Sequence, residues 1–393
     1  MRYAIVTETY PPEINGVALT VQSLEAGLRE RGHSVNVIRP RQRGDQVALD
    51  HETLVQGMPL PRYPGLRIGS PAIRRLTQQW KRQRPDAIYV ATEGPLGWAA
   101  LRVARRLGIA TASGFHTRFD SYMRDYGAPF LQGTALRWMR HFHNLADATL
   151  VPTEELRDFL DRNGFRNVLR LARAVDTDLF QPSRRDTALR ADWGLGENDL
   201  AVIHLGRIAA EKNLDLAIRT YRDLQTHCPN ACFVWVGDGP ERARIERENP
   251  DFVFCGIQRG EALGRHFASA DLFLFPSKSE TYGNVTLEAL ASGVPTIAFD
   301  YGAARERLRH GETGAAIAET ADNEAEARAF IEAARRIACN ADLRRLMAMA
   351  ARDSVSMLKP EHVAAEFDRI LTTLKHARDQ YERHIPAAQT ARQ

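Results

Sequence analysis

The sequence predicts an α/β protein built as two Rossmann-like domains in tandem, and three observations carry that expectation. Its 393 residues exceed what one hydrophobic core ordinarily organises, since domains average roughly 150 residues. Short apolar runs alternate with amphipathic helical stretches, the pattern of a mostly parallel sheet covered by helices on both faces. That alternation runs twice, interrupted once by a polar stretch without strong apolar periodicity. The C-terminal strand edges of the two domains would face each other across a cleft, where open α/β sheets bind ligands.

The elements follow in order. Residues 3–7 form an apolar strand, a Pro/Gly-bearing loop follows, and residues 17–30 have helical periodicity ended by Gly32, so residues 34–38 complete a βαβ unit. Strands are expected again at 86–91, 109–115 and 147–151, with helices over 96–107 and opening at Thr153. Residues 182–198 read as the linker between an N-terminal domain of 1–181 and a C-terminal domain of 199–365. The second series has strands at 201–205, 232–236, 252–254, 272–275 and 296–299 and a helix over 213–226. Residues 366–393 read as a C-terminal helix fraying into the disordered tail that starts near Pro386.

Composition narrows the class. Apolar residues at 44% and charged residues at 26% exclude global disorder, and a net charge of +4 is too small to imply nucleic-acid binding. The charge is uneven: residues 1–181 hold 25 Lys/Arg against 18 Asp/Glu, whereas 182–393 hold 28 against 31. Cys228, Cys232, Cys255 and Cys339 lack C-x-x-C spacing, so they read as buried reduced thiols, with no zinc site and no disulfide framework. The first residues lack a signal-peptide pattern and no run approaches ~18 apolar residues. A cytoplasmic protein, at most peripheral on the inner face of the plasma membrane, is expected.

Two constellations carry chemistry. No G-x-G-x-x-G follows the first strand and no G-x-x-x-x-G-K-[ST] occurs, which weakens hydride-transfer and P-loop readings. Gly206-Arg207-Ile-Ala-Ala-Glu211-Lys212 instead leaves a strand and opens a helix, placing two cations where a diphosphate is favoured. The plain alternative is a solvated βα loop. The second constellation is Ser277-Lys-Ser-Glu280-Thr-Tyr-Gly283-Asn284-Val-Thr-Leu-Glu288-Ala-Leu-Ala-Ser-Gly293. Here Glu280 lies on a loop, Gly283 and Asn284 offer N–H groups at a helix start, and Glu288 sits in that helix. The two carboxylates could accept from vicinal hydroxyls, as sugars and ribose require; the alternative is a loop charge and a helix-dipole complement.

Together, Gly-Arg-x-x-x-x-Lys followed by Glu-x7-Glu resembles the retaining GT-B glycosyltransferases of family GT4. Tyr10-Pro-Pro-Glu-Ile-Asn15-Gly16-Val17 resembles that family's acceptor-side loop, with Asn15 replacing a glycine, and residues 176–182 resemble the segment closing its N-domain, with Ala174 where glycine is common. Residues 115–127, with His116, Arg118, Asp120 and Tyr122, resemble a narrower group, the GDP-mannose-dependent α-mannosyltransferases and the sulfolipid-forming transferases. The resemblance implies a GT-B fold and transfer of a mannosyl or glucosyl unit, with retention, from a nucleotide diphosphate sugar to a hydroxyl acceptor. It implies GDP-mannose ahead of a UDP-sugar and no bound metal or other cofactor. His116, Arg207, Lys212 and Glu280 would then be catalytic, with Gly16, Arg207, Lys212, Gly283, Asn284 and Glu288 holding the nucleotide sugar. Arg118, Asp120 and Tyr122 would be acceptor-side or structural.

The acceptor is read from charge. Residues 61–84 contain seven Lys/Arg and no acid, and 61–140 carry fourteen cations against four acids. Ile73, Leu76 and Trp80 form an apolar stripe beside Arg74, Arg75, Lys81 and Arg82, a composition shared by interfacial membrane helices and by domain helices with a basic outer face. A lipid acceptor and an anionic membrane surface are expected partners. The competing readings are a nucleotide-binding two-domain protein without transferase activity and a transferase acting on a soluble acceptor.

Overall fold

The computed structural model describes residues 1–13, 15–42, 47–59, 67–116, 132–278, 280 and 282–384. The chain divides into two compact units, Met1–Ala174 with Pro360–Gln393, and Val175–Lys359.

In the first unit, β1 (Arg2–Val6), β2 (Ser34–Pro40) and β3 (Glu52–Val55) are followed by a two-stranded antiparallel ribbon of β4 (Gly57–Pro59) and β5 (Arg67–Gly69). Strands β6 (Ala87–Val90), β7 (Ala110–Gly114), β8 (Ala148–Val151) and β9 (Val168–Arg170) complete a seven-stranded parallel sheet ordered β3-β2-β1-β6-β7-β8-β9. Its strands are buried on both faces because alternate side chains enter different cores. Tyr3 and Ile5 of β1 and Tyr89 of β6 pack with Val21, Leu24 and Leu28 of helix Gly16–Glu30 and with Phe367 and Leu371 of helix Pro360–His384. Ala4, Val6, Ile88 and Val90 point the other way, onto Leu76 and Trp80 of helix Ile73–Arg82 and Leu96 and Leu101 of helix Pro95–Arg106. The Leu76–Trp80 stripe is therefore a docked domain face, while Arg74, Arg75, Lys81 and Arg82 are exposed.

The second unit holds β10 (Ala201–Leu205), β11 (Cys232–Val236), β12 (Val253–Gly256), β13 (Leu272–Phe275), β14 (Thr296–Phe299) and β15 (Gly314–Ile317), in the order β12-β11-β10-β13-β14-β15. Both sheets thus reverse strand order beside their first strand, between β1 and β6 and between β10 and β13. That reversal is the dinucleotide-fold arrangement, with its ligand position outside the carboxyl ends of those strands.

The boundaries expected from sequence shift in three places. Residues 182–198 are not a linker but part of the second unit. Helix Thr187–Asp192 is capped by Asp186, and Arg190, only 2% exposed, donates to the carbonyls of Ser269, Gly196 and Asp199 and to Asp271. The first unit ends at Ala174 rather than 181, because Arg352 ties the carbonyls of Thr177 and Phe180 to that of Ala291. The C-terminal helix begins at Pro360 and belongs to the first unit, where the Tyr3 hydroxyl donates to Asp368 at 2.7 Å. The residues from Pro386 on lie outside the described ones. The thiols are free, but only Cys232 is buried: Cys228 and Cys255 are half-buried and Cys339 is exposed.

Candidate active site

Each chemistry-bearing segment of the second unit leaves the sheet at the strand-order reversal. The 206–212 loop follows β10, and the loop bearing Glu280 follows β13, its parallel neighbour. The first loop is held against residues 236–241: Gly206 donates to the Val236 carbonyl, Ile208 to that of Asp238, and Glu241 to that of Ile208. The approach is so close that a Cβ on Gly237 would stand 1.9 Å from the Gly206 carbonyl oxygen, so glycine is needed there.

Lys212 ends the short 3₁₀ turn Ala210–Lys212, and its ammonium is bonded to Glu280 Oε1. Side-chain exposures of 16% and 22% mean that this pair is largely desolvated, so each charge depends on the other. Glu280 is braced further: Ser277 Oγ donates to the same oxygen at 3.0 Å, and the Glu280 N–H donates at 2.9 Å to the Tyr301 hydroxyl, which donates to the Ser277 carbonyl. Sequence reasoning included Ser277 in the constellation without giving it a role and missed Tyr301, since a tyrosine 21 residues after Glu280 carries no local signal. Arg207 is not part of this cluster's hydrogen bonding. Its side chain is 64% exposed and pairs with Glu211 in its own loop.

Gly283, at φ +87, leads into helix Asn284–Ala291, whose first turn has no side-chain cap among the described residues. The Thr286 N–H donates to the Gly283 carbonyl at 3.0 Å, and the N–H groups of Asn284 and Val285 have no side-chain acceptor among the described residues, which leaves them the donors a ligand could meet. Glu288, in the middle of that helix, is half-buried. Burial alone pushes its carboxyl up to about 7, and among the described residues no side chain is bonded to it to hold its charge.

In the first unit, Gly16 opens helix Gly16–Glu30, and Asn15 caps it: Asn15 Oδ1 accepts the N–H groups of Val17 and Ala18 at 3.1 and 2.9 Å. Asn15 thus consumes two donors that a glycine would have left open. His116 follows β7 and is 7% exposed. Tyr89 Oη lies 2.8 Å from its Nε2 and Arg173 Nη2 lies 2.8 Å from its Nδ1. Burial, reinforced by the charge of Arg173, holds the ring well below the ordinary histidine range, so it is neutral. Neither Tyr89 nor Arg173 was singled out from sequence. Arg118, Asp120 and Tyr122 lie outside the described residues. Among those described, no three His, Cys, Asp or Glu side chains gather as a metal site, and no helix is long and apolar enough to cross a membrane.

Comparison with known proteins places these features in a family. Residues 14–179 match the model described as Glycosyltransferase Family 4, and 199–338 match that described as Glycosyl transferases group 1. A GDP-mannose-dependent alpha-mannosyltransferase of Mycobacterium tuberculosis is 35% identical over 323 residues, 80% of this chain and 83% of that protein. A GDP-mannose-dependent alpha-(1-6)-phosphatidylinositol dimannoside mannosyltransferase of the same species is 30% identical over 309 residues, 76% and 79% of the two chains. The crystal structure of Anabaena Alr3699/HepE in complex with UDP and glucose has the same fold, with a TM-score of 0.72, 17% identity and coverage of 95% of this chain and 100% of that one. The chain belongs to glycosyltransferase family 4, with the GT-B fold, and is an enzyme that transfers a hexosyl unit from a nucleotide sugar to an acceptor hydroxyl.

Proposed function

We propose that the enzyme is a retaining α-mannosyltransferase that uses GDP-mannose and acts on a lipid-anchored hydroxyl at an anionic membrane surface, on the cytoplasmic side. The observation that carries the donor half is the Lys212–Glu280 pair at the β10/β13 reversal, Glu280 lying on the loop that leads into the helix bearing Glu288. In this reading Lys212 and Arg207 balance charge growing on the diphosphate as the glycosidic bond breaks, and Gly283 and Asn284 supply N–H groups to it. Glu280 orients the sugar hydroxyls and Glu288 accepts from the ribose. From the first unit, Gly16 meets the donor diphosphate and His116 the donor sugar, as the family resemblance implies. No carboxylate serves as nucleophile. The leaving diphosphate oxygen takes the acceptor proton on the face it departs from, so retention follows from orientation and electrostatics, without a metal. GDP-mannose is favoured because the relatives of 30% identity or more described above are named for it.

The acceptor half rests on charge. Helix Ile73–Arg82 turns Arg74, Arg75, Lys81 and Arg82 outward, each worth up to about 1 kcal/mol near an anionic surface, and one relative is named for a phosphatidylinositol-based acceptor. Two experiments decide the reading. In a melting-temperature screen of GDP, UDP and ADP, GDP should stabilise most, in proportion to RT ln(1 + [L]/Kd); a larger shift with UDP replaces GDP-mannose by a UDP-sugar. In flotation with anionic vesicles at low salt, the protein should bind and the variant with Arg74, Arg75, Lys81 and Arg82 changed to Glu should not. Equal flotation, or none, makes a soluble acceptor the better reading.

A further inference from the structure

We propose that Arg173 is a positioning residue that, with Tyr89, fixes the His116 imidazole as its neutral Nε2–H tautomer, so that His116 contributes to transfer as an oriented dipole and never as a base. The inference rests on the reading above that His116 serves the donor sugar. A guanidinium has donors only, so Arg173 Nη2 at 2.8 Å from Nδ1 requires the lone pair on that nitrogen. The ring proton therefore sits on Nε2, and the Tyr89 hydroxyl at 2.8 Å accepts it. Both nitrogens are spoken for within the first unit.

Gly114 supplies independent support. A Cβ there would stand 2.1 Å from Tyr89 Oη and 2.5 Å from His116 Nε2, so this position of β7 is kept bare where the hydrogen bond passes, although glycine weakens a strand. The Tyr89 ring is itself held, edge-on to Phe367 with centroids 4.9 Å apart. Among the described residues, the charged and titratable groups acting on this assembly are Arg173 and His143, which both disfavour a protonated His116, and Glu93, which acts on Tyr89. A second proton on Nδ1 would point at the guanidinium, and the only free electron pair of the neutral ring is the one Arg173 occupies. No lone pair remains for an acceptor hydroxyl's proton.

The test uses the full-length enzyme with nitrogen-labelled histidine, His116 being assigned by its loss in His116→Gln. The ligand-free wild type should show Nδ1 unprotonated and Nε2 protonated, with no titration between pH 5.5 and 8. A proton on Nδ1, or ordinary titration near 6.5, overturns the proposal. Arg173→Met should release the ring, which then exchanges tautomers and titrates higher than in the wild type. Its kcat should fall by about tenfold through lost orientation while KM for the donor stays within about twofold, with a new acidic limb in its pH profile. Arg173→Lys, which keeps a cationic donor, should recover part of the loss. Tyr89→Phe removes only the acceptor, so the proton should remain on Nε2; its migration to Nδ1 would assign control to Tyr89 and overturn the role of Arg173. If Arg173→Met changes the tautomer but not turnover, the donor-side reading of His116 fails; if the tautomer does not change, the assignment to Arg173 fails.

Discussion

The two units treat polar groups just past their parallel strands in opposite ways. In the first, His116 has both nitrogens occupied by Arg173 and Tyr89, and the helix start at Gly16 is closed by Asn15. In the second, the half-buried Glu288 has its carboxyl pushed up to about 7 by burial alone, and the helix start at Asn284 lacks a side-chain cap among the described residues. A group whose hydrogen bonds are filled internally is fixed in place and gains little from a ligand. A group left short costs stability until a ligand supplies what is missing. At these positions the second unit is preorganised by deficit and the first by completion, whereas Glu280 of the second is braced by Lys212, Ser277 and Tyr301 much as His116 is braced in the first.

The contrast breaks most visibly at Lys212. Lys212→Ala removes the cation proposed for the diphosphate and leaves Glu280 unpaired, so kcat should drop about a hundredfold, near 3 kcal/mol. Arg207→Ala, which removes an exposed cation, should cost less. Steady-state kinetics of both variants checks this, and near-wild-type turnover in Lys212→Ala would remove the diphosphate assignment.

Glu288→Gln should weaken binding of free nucleoside diphosphate about tenfold, because a charge-assisted acceptor becomes a neutral amide. Ribose hydroxyls favour the ionised carboxylate. In the wild type, affinity should therefore rise with pH up to about 7, level off above it, and lose that dependence in Glu288→Gln. Calorimetry across pH 5.5–8.5 reads both effects. The ligand-free variant should also melt higher at pH 8. A carboxyl whose folded value lies above its ordinary 4.5 stabilises the fold most while protonated and loses that contribution as pH rises through about 7, at most ~3 kcal/mol.

Asn15→Ala should show the smallest effect and the most specific one. Loss of the cap should cost about 1 kcal/mol of stability in urea unfolding, with nucleotide affinity unchanged. A gain in nucleotide affinity would mean that the freed N–H groups of Val17 and Ala18 can serve a ligand after all, and the first unit would not be closed.

Much of the frame was legible because parallel strands buried on both faces read as bare apolar runs. Leu272–Phe275 and Thr296–Phe299 coincide with the strands expected from sequence. Residues 182–198 were misread because Arg190 and its neighbours are polar in composition, and only the fold supplies the carbonyls that let an arginine be buried. The placement of residues 360–384 was hidden for a related reason: an amphipathic pattern states that a face will be covered, not which sheet covers it. At the site, the types at 207, 212, 280 and 288 announced anion and hydroxyl chemistry. The pairing of Lys212 with Glu280 across 68 positions comes from the adjacency of β10 and β13. The partners of His116 left no trace in its own neighbourhood, because one is a strand tyrosine and the other an arginine 57 residues downstream.

The return of helix Pro360–His384 to the first unit bears on biogenesis. Residues Val175–Lys359 leave the ribosome as an uninterrupted sequence, whereas the unit begun first waits for a segment translated after them. Until Phe367, Ile370 and Leu371 arrive, the sheet face bearing Tyr3, Ile5 and Tyr89 has only the part of its cover that Val21, Leu24 and Leu28 supply, and nascent chains with such incompletely covered apolar faces are the ones that bind chaperones or aggregate. Chains halted near Lys359 should accordingly carry a folded second unit and an aggregation-prone first one, the inverse of ordinary vectorial folding.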